Sequence, residues 1–254
     1  MVLDTFRLDG RVAWVTGASR GLGKAMALAL AEAGADLVLS ARTVVDLEGT
    51  ASEVKRLGRR AVVVQADVTR RSDVEAVVAK ALAEYDRVDI LVNNAGVTSV
   101  KPLVETEETD WDTVLSTNVR GPYLCTRAVG PHMIARKAGK LINIASVLSL
   151  IGEPYVVPYA ASKGAVLQFT RGLAIEWARY NIQVNAICPG YFTTAMNEDF
   201  LASEEGRDYI KQWVPMRRPG RPEELGPVVL FLASSASDFI TGAHVVIDGG
   251  QAAR

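Results

Sequence analysis

Tyr159 and Lys163 stand four residues apart in the run PYAASKGAV, and Ser146 precedes the tyrosine by thirteen residues. In a helix a four-residue step puts both side chains on one face, with the ammonium beside the phenol. A free tyrosine has a pKa of about 10, too high for ready proton exchange at neutral pH, and a nearby cation pulls it down. A serine hydroxyl at a neighbouring strand end is placed to hold a carbonyl oxygen beside that phenol. Together the three groups suit proton transfer to and from the oxygen of a carbonyl or an alcohol. Tyr-x-x-x-Lys alone is common on solvated helix faces, so its meaning depends on the elements that carry it.

Those elements alternate along the whole chain. RVAWVT, DLVLSA, AVVVQA, DILVN, KLINIAS, IQVNAIC and AHVVID read as strands, and they are too continuously apolar for a sheet with one wet face. Between them the pattern predicts helices near 21–34, 45–58, 72–86, 107–137, 158–181 and 222–234. Strand and helix in alternation predict a single α/β domain spanning 1–254. It is a Rossmann-type, doubly wound sheet of about seven parallel strands with helices on both faces. Residues 191–221 break the rhythm with a long irregular insertion carrying one expected helix. It leaves the sheet at the carboxyl end of a strand, where open α/β sheets bind ligands, and so reads as a substrate lid.

Directly after the first strand comes TGASRGLG, with Gly17, Gly21 and Gly23 in a strand-to-helix turn. Glycines let the backbone approach a pyrophosphate whose charge then sits at a helix N-terminus. At the end of the second strand, where a carboxylate would bind the ribose of NAD, the chain reads Ser40, Ala41, Arg42. Arg42, with Arg20 inside the glycine turn, suits a 2′-phosphate instead, so NADP(H) is expected over NAD(H), which stays possible.

Charge and cysteine usage exclude several other classes. The 28 basic and 29 acidic residues nearly cancel without a basic stripe, so nucleic acid is not an expected partner. No apolar run is long enough to span a bilayer and the first residues carry no apolar leader, which points to a cytoplasmic protein. Cys125 and Cys188 are expected to be buried and unpaired, and with only two histidines, His132 and His244, no zinc site is expected.

Taken in order, these motifs resemble the short-chain dehydrogenase/reductase family over nearly the whole chain. TGASRGLG, including Ser19 and Leu22, is similar to its cofactor turn, Asp67-Val68 to its adenine-contacting pair, and Asn93-Asn94-Ala95-Gly96 to its NNAG motif. Asn118 in STNV, Ser146 in NIAS, Tyr159 and Lys163 resemble its catalytic tetrad. Pro189, Gly190, Phe192 and Thr194 in PGYFTT resemble the segment that orients the nicotinamide, and VIDGG its last strand. The resemblance implies that Tyr159 exchanges the proton as hydride moves to or from the nicotinamide. Lys163 would lower the phenol's pKa and bind the nicotinamide ribose, Ser146 would position the substrate oxygen, and Asn118 would hold a water through its backbone carbonyl.

Within the family the closest resemblance is to gluconate 5-dehydrogenases and related sugar or polyol dehydrogenases, with 3-oxoacyl carrier-protein reductases as the alternative. A gluconate-type carboxylate wants a cation, and Lys101 in VTSVKPL is the candidate. Ser146, Leu148, Glu153, Tyr155, Tyr191 and Met196 are the other expected substrate contacts, with Val147, Pro154 and Trp213 nearby. An acyl-carrier-protein substrate would need a basic docking patch, for which Arg217, Arg218 and Arg221 are available. A dinucleotide sensor or scaffold without turnover is the alternative outside enzymes. Apolar residues on more than one face of the 107–137 and 158–181 helices, among them Val129, Met133, Ile134, Val166, Phe169, Leu173 and Trp177, suggest subunit contacts. The resemblance implies a homotetramer.

Overall fold

The computed structural model describes residues 1–195 and 197–254, so the expected contact Met196 lies outside the described residues. Seven strands, β1 (Val12–Thr16), β2 (Asp36–Ala41), β3 (Ala61–Gln65), β4 (Ile90–Asn93), β5 (Gly139–Ile144), β6 (Ile182–Pro189) and β7 (His244–Ile247), form one parallel sheet in the order β3-β2-β1-β4-β5-β6-β7. The strand order reverses between β1 and β4, and the crevice outside their carboxyl ends is where a doubly wound sheet receives a ligand.

Helices cover both faces of this sheet. Helices α1 (Gly21–Glu32), α2 (Val44–Arg56) and α9 (Gly226–Ala233) share one core, where Met26, Leu30, Leu47 and Val229 pack against Ala13, Val15, Leu37 and Leu39. On the other side α3 (Arg71–Tyr85), α5 (Gly121–Arg136) and α6 (Val157–Trp177) close over Trp14, Val38, Leu91 and Leu141. Strand periodicity of two deals alternate residues to the two cores, which is why the strands read as unbroken apolar runs. Each fully buried large side chain contributes about 1.5–3 kcal/mol. Gly130 admits the Trp177 ring between α5 and α6, since a Cβ there would stand 2.6 Å from the indole.

Three expectations change. The stretch 107–137 is not one helix: α4 (Glu108–Leu115) passes through a π turn at Ser116–Arg120 before α5 begins. The insertion holds two short helices, α7 (Glu198–Ala202) and α8 (Glu204–Trp213), where one was expected, because Ser203 ends the first and caps the second, accepting from the Gly206 N–H at 3.0 Å. Val129, Met133, Val166 and Trp177 are buried inside the subunit, so they serve its own core and not a partner. The large apolar side chains these helices leave exposed include Trp111, Tyr123, Val157 and Ile175. Cys125 and Cys188 are buried and free. Among the described residues, no helix is long and apolar enough to cross a membrane.

Candidate active site

The turn after β1 is shaped by contacts that only glycine permits. Gly17 and Gly21 have φ of +65° and +56°, in the left-handed region. A Cβ on Gly23 would lie 2.3 Å from the Gly17 carbonyl oxygen and 2.5 Å from Asn94 Nδ2. Asn94 ties this turn to the end of β4, donating to the carbonyls of Thr16 at 2.9 Å and Gly17 at 3.2 Å, while the Asn94 and Ala95 N–H groups both donate to Thr16 Oγ1 at 3.0 Å. Helix α1 starts at Gly21, so its N-terminus and free backbone N–H groups face the cradle.

From this cradle a cleft of about 560 Å³ runs across the carboxyl ends of the strands. At one end are Arg20 and Arg42, both exposed, and among the described residues neither forms an ion pair. Asp67 closes that end and accepts hydrogen bonds from Thr69 N and Oγ1 at 2.9 and 2.8 Å. Burial opposes its ionisation, yet the Thr69 bonds and the nearby Arg42 charge hold its carboxyl below the ordinary value. Two unpaired cations beside a glycine cradle fit a dinucleotide that carries an extra phosphate on its adenosine side. Ser19, Leu22, Val68, Ala95, Gly96 and Thr194 also line the cleft.

Its other end holds Tyr159 and Lys163. Lys163 is almost fully buried, donates to the Ile144 carbonyl at 2.7 Å, and stands 5.5 Å from the centroid of the Tyr159 ring. Burial pulls its ammonium down to about 8. The Tyr159 phenol is displaced upward, against expectation, because burial outweighs the opposing hydrogen bond with Ser146. Ser146 Oγ accepts from the Leu148 N–H at 3.1 Å, which fixes the hydroxyl at the end of the β5 strand. Asn118 sits in the π turn, its Oδ1 accepting from Val97 N at 2.9 Å and its Nδ2 donating to Val97 O and Ser162 Oγ at 2.9 and 3.0 Å. A π turn opens one backbone carbonyl from the usual ladder, a recurrent feature of functional sites. Beneath this end, Asn93 donates to Asn143 Oδ1 at 2.8 Å and Asn143 to Thr170 Oγ1 at 2.9 Å, a buried amide chain that locks β4, β5 and α6 together.

The remaining expected residues divide. Pro189 ends β6, and Gly190 follows so closely under β7 that a Cβ would meet Asp248 at 2.7 Å. Phe192 is packed in the core against Gly220, so its aromatic ring holds the insertion, and it does not line the cleft. Lys101 pairs with Asp110 at 2.5 Å and also lies off the cleft lining. Tyr155, with φ of +67°, is exposed, and its carbonyl accepts from the Lys101 N–H. Glu153 and Tyr191 meet, the phenol donating to Oε1 at 2.5 Å. Of the proposed arginine patch, Arg218 and Arg221 both turn to Glu224, at 2.8 and 3.5 Å. Sequence reasoning missed Thr43, Val97, Asp112, Thr113 and Ser116 in the cleft lining. Val97 follows NNAG directly and was within reach of the motif, whereas the α4 residues arrive through the π turn, which has no sequence marker.

The profile of the family described as Enoyl-(Acyl carrier protein) reductase matches residues 17–252. The Escherichia coli (strain K12) 2-dehydro-3-deoxy-D-gluconate 5-dehydrogenase is 42% identical over 100% of both chains. This chain belongs to the short-chain dehydrogenase/reductase family. It is accordingly an oxidoreductase. The fold also superposes on a gluconate 5-dehydrogenase from Burkholderia cenocepacia solved in complex with NADP and tartrate, with a TM-score of 0.96 and 40% identity over 100% of both chains. The 3-oxoacyl-[acyl-carrier-protein] reductase of Thermotoga maritima is 39% identical over 96% of this chain and 98% of its own.

Proposed function

We propose that the protein is an NADP(H)-dependent dehydrogenase that interconverts a secondary alcohol and a ketone at C5 of a sugar acid such as gluconate or 2-dehydro-3-deoxy-D-gluconate. The observation that carries it is the cleft itself. Arg20 and Arg42, in no ion pair among the described residues, stand at one end, and Tyr159 and Lys163 at the other, with buried Ser146 behind them. The bound dinucleotide supplies the hydride chemistry. Arg20 and Arg42 would hold its 2′-phosphate, the glycine turn and the α1 N-terminus its pyrophosphate, and Lys163 its nicotinamide ribose.

Tyr159 gives its proton to the carbonyl oxygen in reduction and takes it back from the alcohol in oxidation. Ser146 holds that oxygen, and its own hydrogen bond from Leu148 N–H fixes where it does so. A phenol raised by burial is a poor acid alone, so the Lys163 ammonium matters most as negative charge develops on the tyrosine. Asn118, its amide held on both sides by Val97, presents the opened backbone of the π turn to a water that continues the proton path from Lys163. The 191–221 insertion serves as the lid of a single 1–254 domain.

The acyl-carrier-protein alternative loses part of its support because Arg218 and Arg221 are engaged by Glu224, while Arg217 is exposed and forms no ion pair among the described residues. Exposed Val104, Trp111, Tyr123 and Ile175 support assembly of this cytoplasmic enzyme as a homotetramer. The test is turnover of gluconate, 5-ketogluconate and 2-dehydro-3-deoxy-D-gluconate beside a short 3-oxoacyl thioester and a neutral ketone, each with NADP(H). Preference for a sugar acid is the expected result; preference for the thioester or ketone overturns the substrate reading. Tight NADPH binding without turnover of any of them returns the sensor.

A further inference from the structure

Glu153 lies seven residues after Ser146 and six before Tyr159, on the loop that joins the two. Its carboxylate does not stay with that loop. Oε1 accepts the Tyr191 hydroxyl at 2.5 Å, across 38 residues of sequence, and the Tyr209 ring packs against the Tyr191 ring. Tyr191 begins the insertion, directly after β6 and Gly190, while Tyr209 lies in the middle of α8. Around this polar knot the rings of Tyr191, Phe200, Tyr209 and Trp213 stack in sequence, with centroid separations of 5.4 Å for Tyr191–Tyr209, 5.9 Å for Phe200–Tyr209 and 6.2 Å for Tyr209–Trp213. Every aromatic ring in this stack belongs to the insertion, and Glu153 is the carboxylate that reaches them from the loop carrying the proposed catalytic hydroxyls.

We infer that Glu153 is the catch of the lid: its carboxylate docks α7 and α8, through Tyr191 and Tyr209, against the Ser146–Tyr159 loop, and so positions the substrate pocket without itself taking part in proton transfer. This rests on the dehydrogenase reading above and deepens it, since it names the residue that couples the lid to the reacting groups.

The balance of forces makes the catch reversible. A hydrogen bond to an ionised acceptor is among the stronger contacts available to a protein, and a fully desolvated one is stronger still. Burial and the Glu153 charge together push both the Tyr191 and the Tyr209 phenols upward, so each keeps its proton and Tyr191 remains the donor to Glu153. Against this, Glu153 Oε2 is buried with no hydrogen-bond partner among the described residues. A half-satisfied buried carboxylate is costly, and that cost offsets much of what the Tyr191 bond contributes. The docked lid is therefore held by a contact strong enough to order it and weak enough to release it, which a lid over a substrate pocket requires.

The test compares Glu153→Ala, Glu153→Gln and Tyr191→Phe with the wild type by three readouts on the full-length enzyme. The first is tryptic cleavage at Arg207 and Lys211 in α8, the second the KM and kcat for the sugar acid, and the third the NADPH Kd by fluorescence. Glu153→Ala removes the acceptor, and cleavage in α8 should accelerate roughly tenfold with a similar rise in KM, because only the docked fraction binds substrate. NADPH affinity should change by less than about twofold, since the glycine cradle and Arg42 lie apart from the catch. Glu153→Gln keeps an acceptor for Tyr191 and removes the buried charge, so protection should stay at or above the wild-type level. Tyr191→Phe should follow Glu153→Ala, and combining the two should add little. If Glu153→Ala raises KM while α8 stays as protected as in the wild type, Glu153 is a direct substrate contact and the catch is wrong. Unchanged KM and unchanged cleavage also overturn it. Failure of the wild type to oxidise any sugar acid would contradict the functional reading alone, because the cleavage comparison needs no substrate.

Discussion

The two halves of the cleft floor are held in different ways. Around β1 and β4 each position is fixed by contacts that allow no alternative: glycines whose Cβ would collide with backbone, and Asn94 stitched to Thr16 and Gly17. Around β6 and the insertion the same strand row ends in a layer of rings joined by one carboxylate that is only half satisfied. The first half is built to present one unvarying surface, as suits a ligand that is the same in every turnover. The second is held by fewer fixed contacts, which is the basis for proposing that it releases and re-docks as substrate and product exchange.

The sharpest break in that contrast comes from the rigid half. Gly23→Ala places a methyl group 2.3 Å from the Gly17 carbonyl, a backbone atom that has no room to yield. The expected loss is about 3 kcal/mol or more, divided between thermal stability and NADPH affinity, and calorimetry with a fluorescence titration reads both. A neutral outcome in both would mean that the turn is as adaptable as the proposed lid.

Lys163 sharpens the account next, through pH. Burial lowers its ammonium from an ordinary 10.5 to about 8, so between those values the unfolded chain holds the proton more tightly than the folded one. Stability then rises with pH across this window, as the cost of the buried charge, on the order of 3 kcal/mol, is relieved. Lys163→Met carries no such charge. Its stability relative to the wild type should therefore be highest at about pH 7 and decline as pH rises toward about 10 in denaturant titrations. Parallel pH profiles for the two proteins would show that Lys163 is not desolvated.

Arg42→Asp removes a phosphate partner and supplies a carboxylate for a ribose hydroxyl. The ratio of kcat/KM for NADPH over NADH should fall by roughly tenfold to a hundredfold, the size of one or two charge-assisted hydrogen bonds. An unchanged ratio would take Arg42 out of the phosphate site. The smallest effect belongs to Lys101→Ala. Losing its exposed pair with Asp110 should leave stability almost unchanged, and the KM for a sugar acid should stay within about twofold, since the ammonium is already taken by a carboxylate. A large rise in KM would show that substrate draws Lys101 away from Asp110.

The same division governs what could be read from the chain. Gly17, Gly21, Gly23, Asn94 and the Tyr159–Lys163 spacing are local or repeat a strand-to-helix period, and local constraints are written in local sequence. The seven strands were legible for a related reason, because burial on both faces leaves unbroken apolar runs. The π turn at Ser116–Arg120 was not, since its residues continue the helical pattern of α4 and α5 and only the backbone register changes. The Glu153–Tyr191 contact joins positions 38 apart, and the Lys101–Asp110 pair sits where the loop happens to bring a cation onto a helix start. Both arise from how two loops pack, which no spacing rule encodes. Val129 and Met133 misled for the converse reason: α5 packs on β4 and β5, against α3 at its side and under the Trp177 ring at Gly130, so apolar residues on several of its faces belong to one subunit.

The measurement that bears most directly on the account is the pair of NADPH affinity and turnover for Tyr159→Phe, taken on the same preparation. Removing one hydroxyl from the chemical end of the cleft should leave the NADPH Kd within about twofold while kcat falls by roughly a thousandfold or more, the scale of a lost general acid in a site that has no substitute. Turnover within about tenfold of the wild type would place the proton donor elsewhere and contradict the assignment.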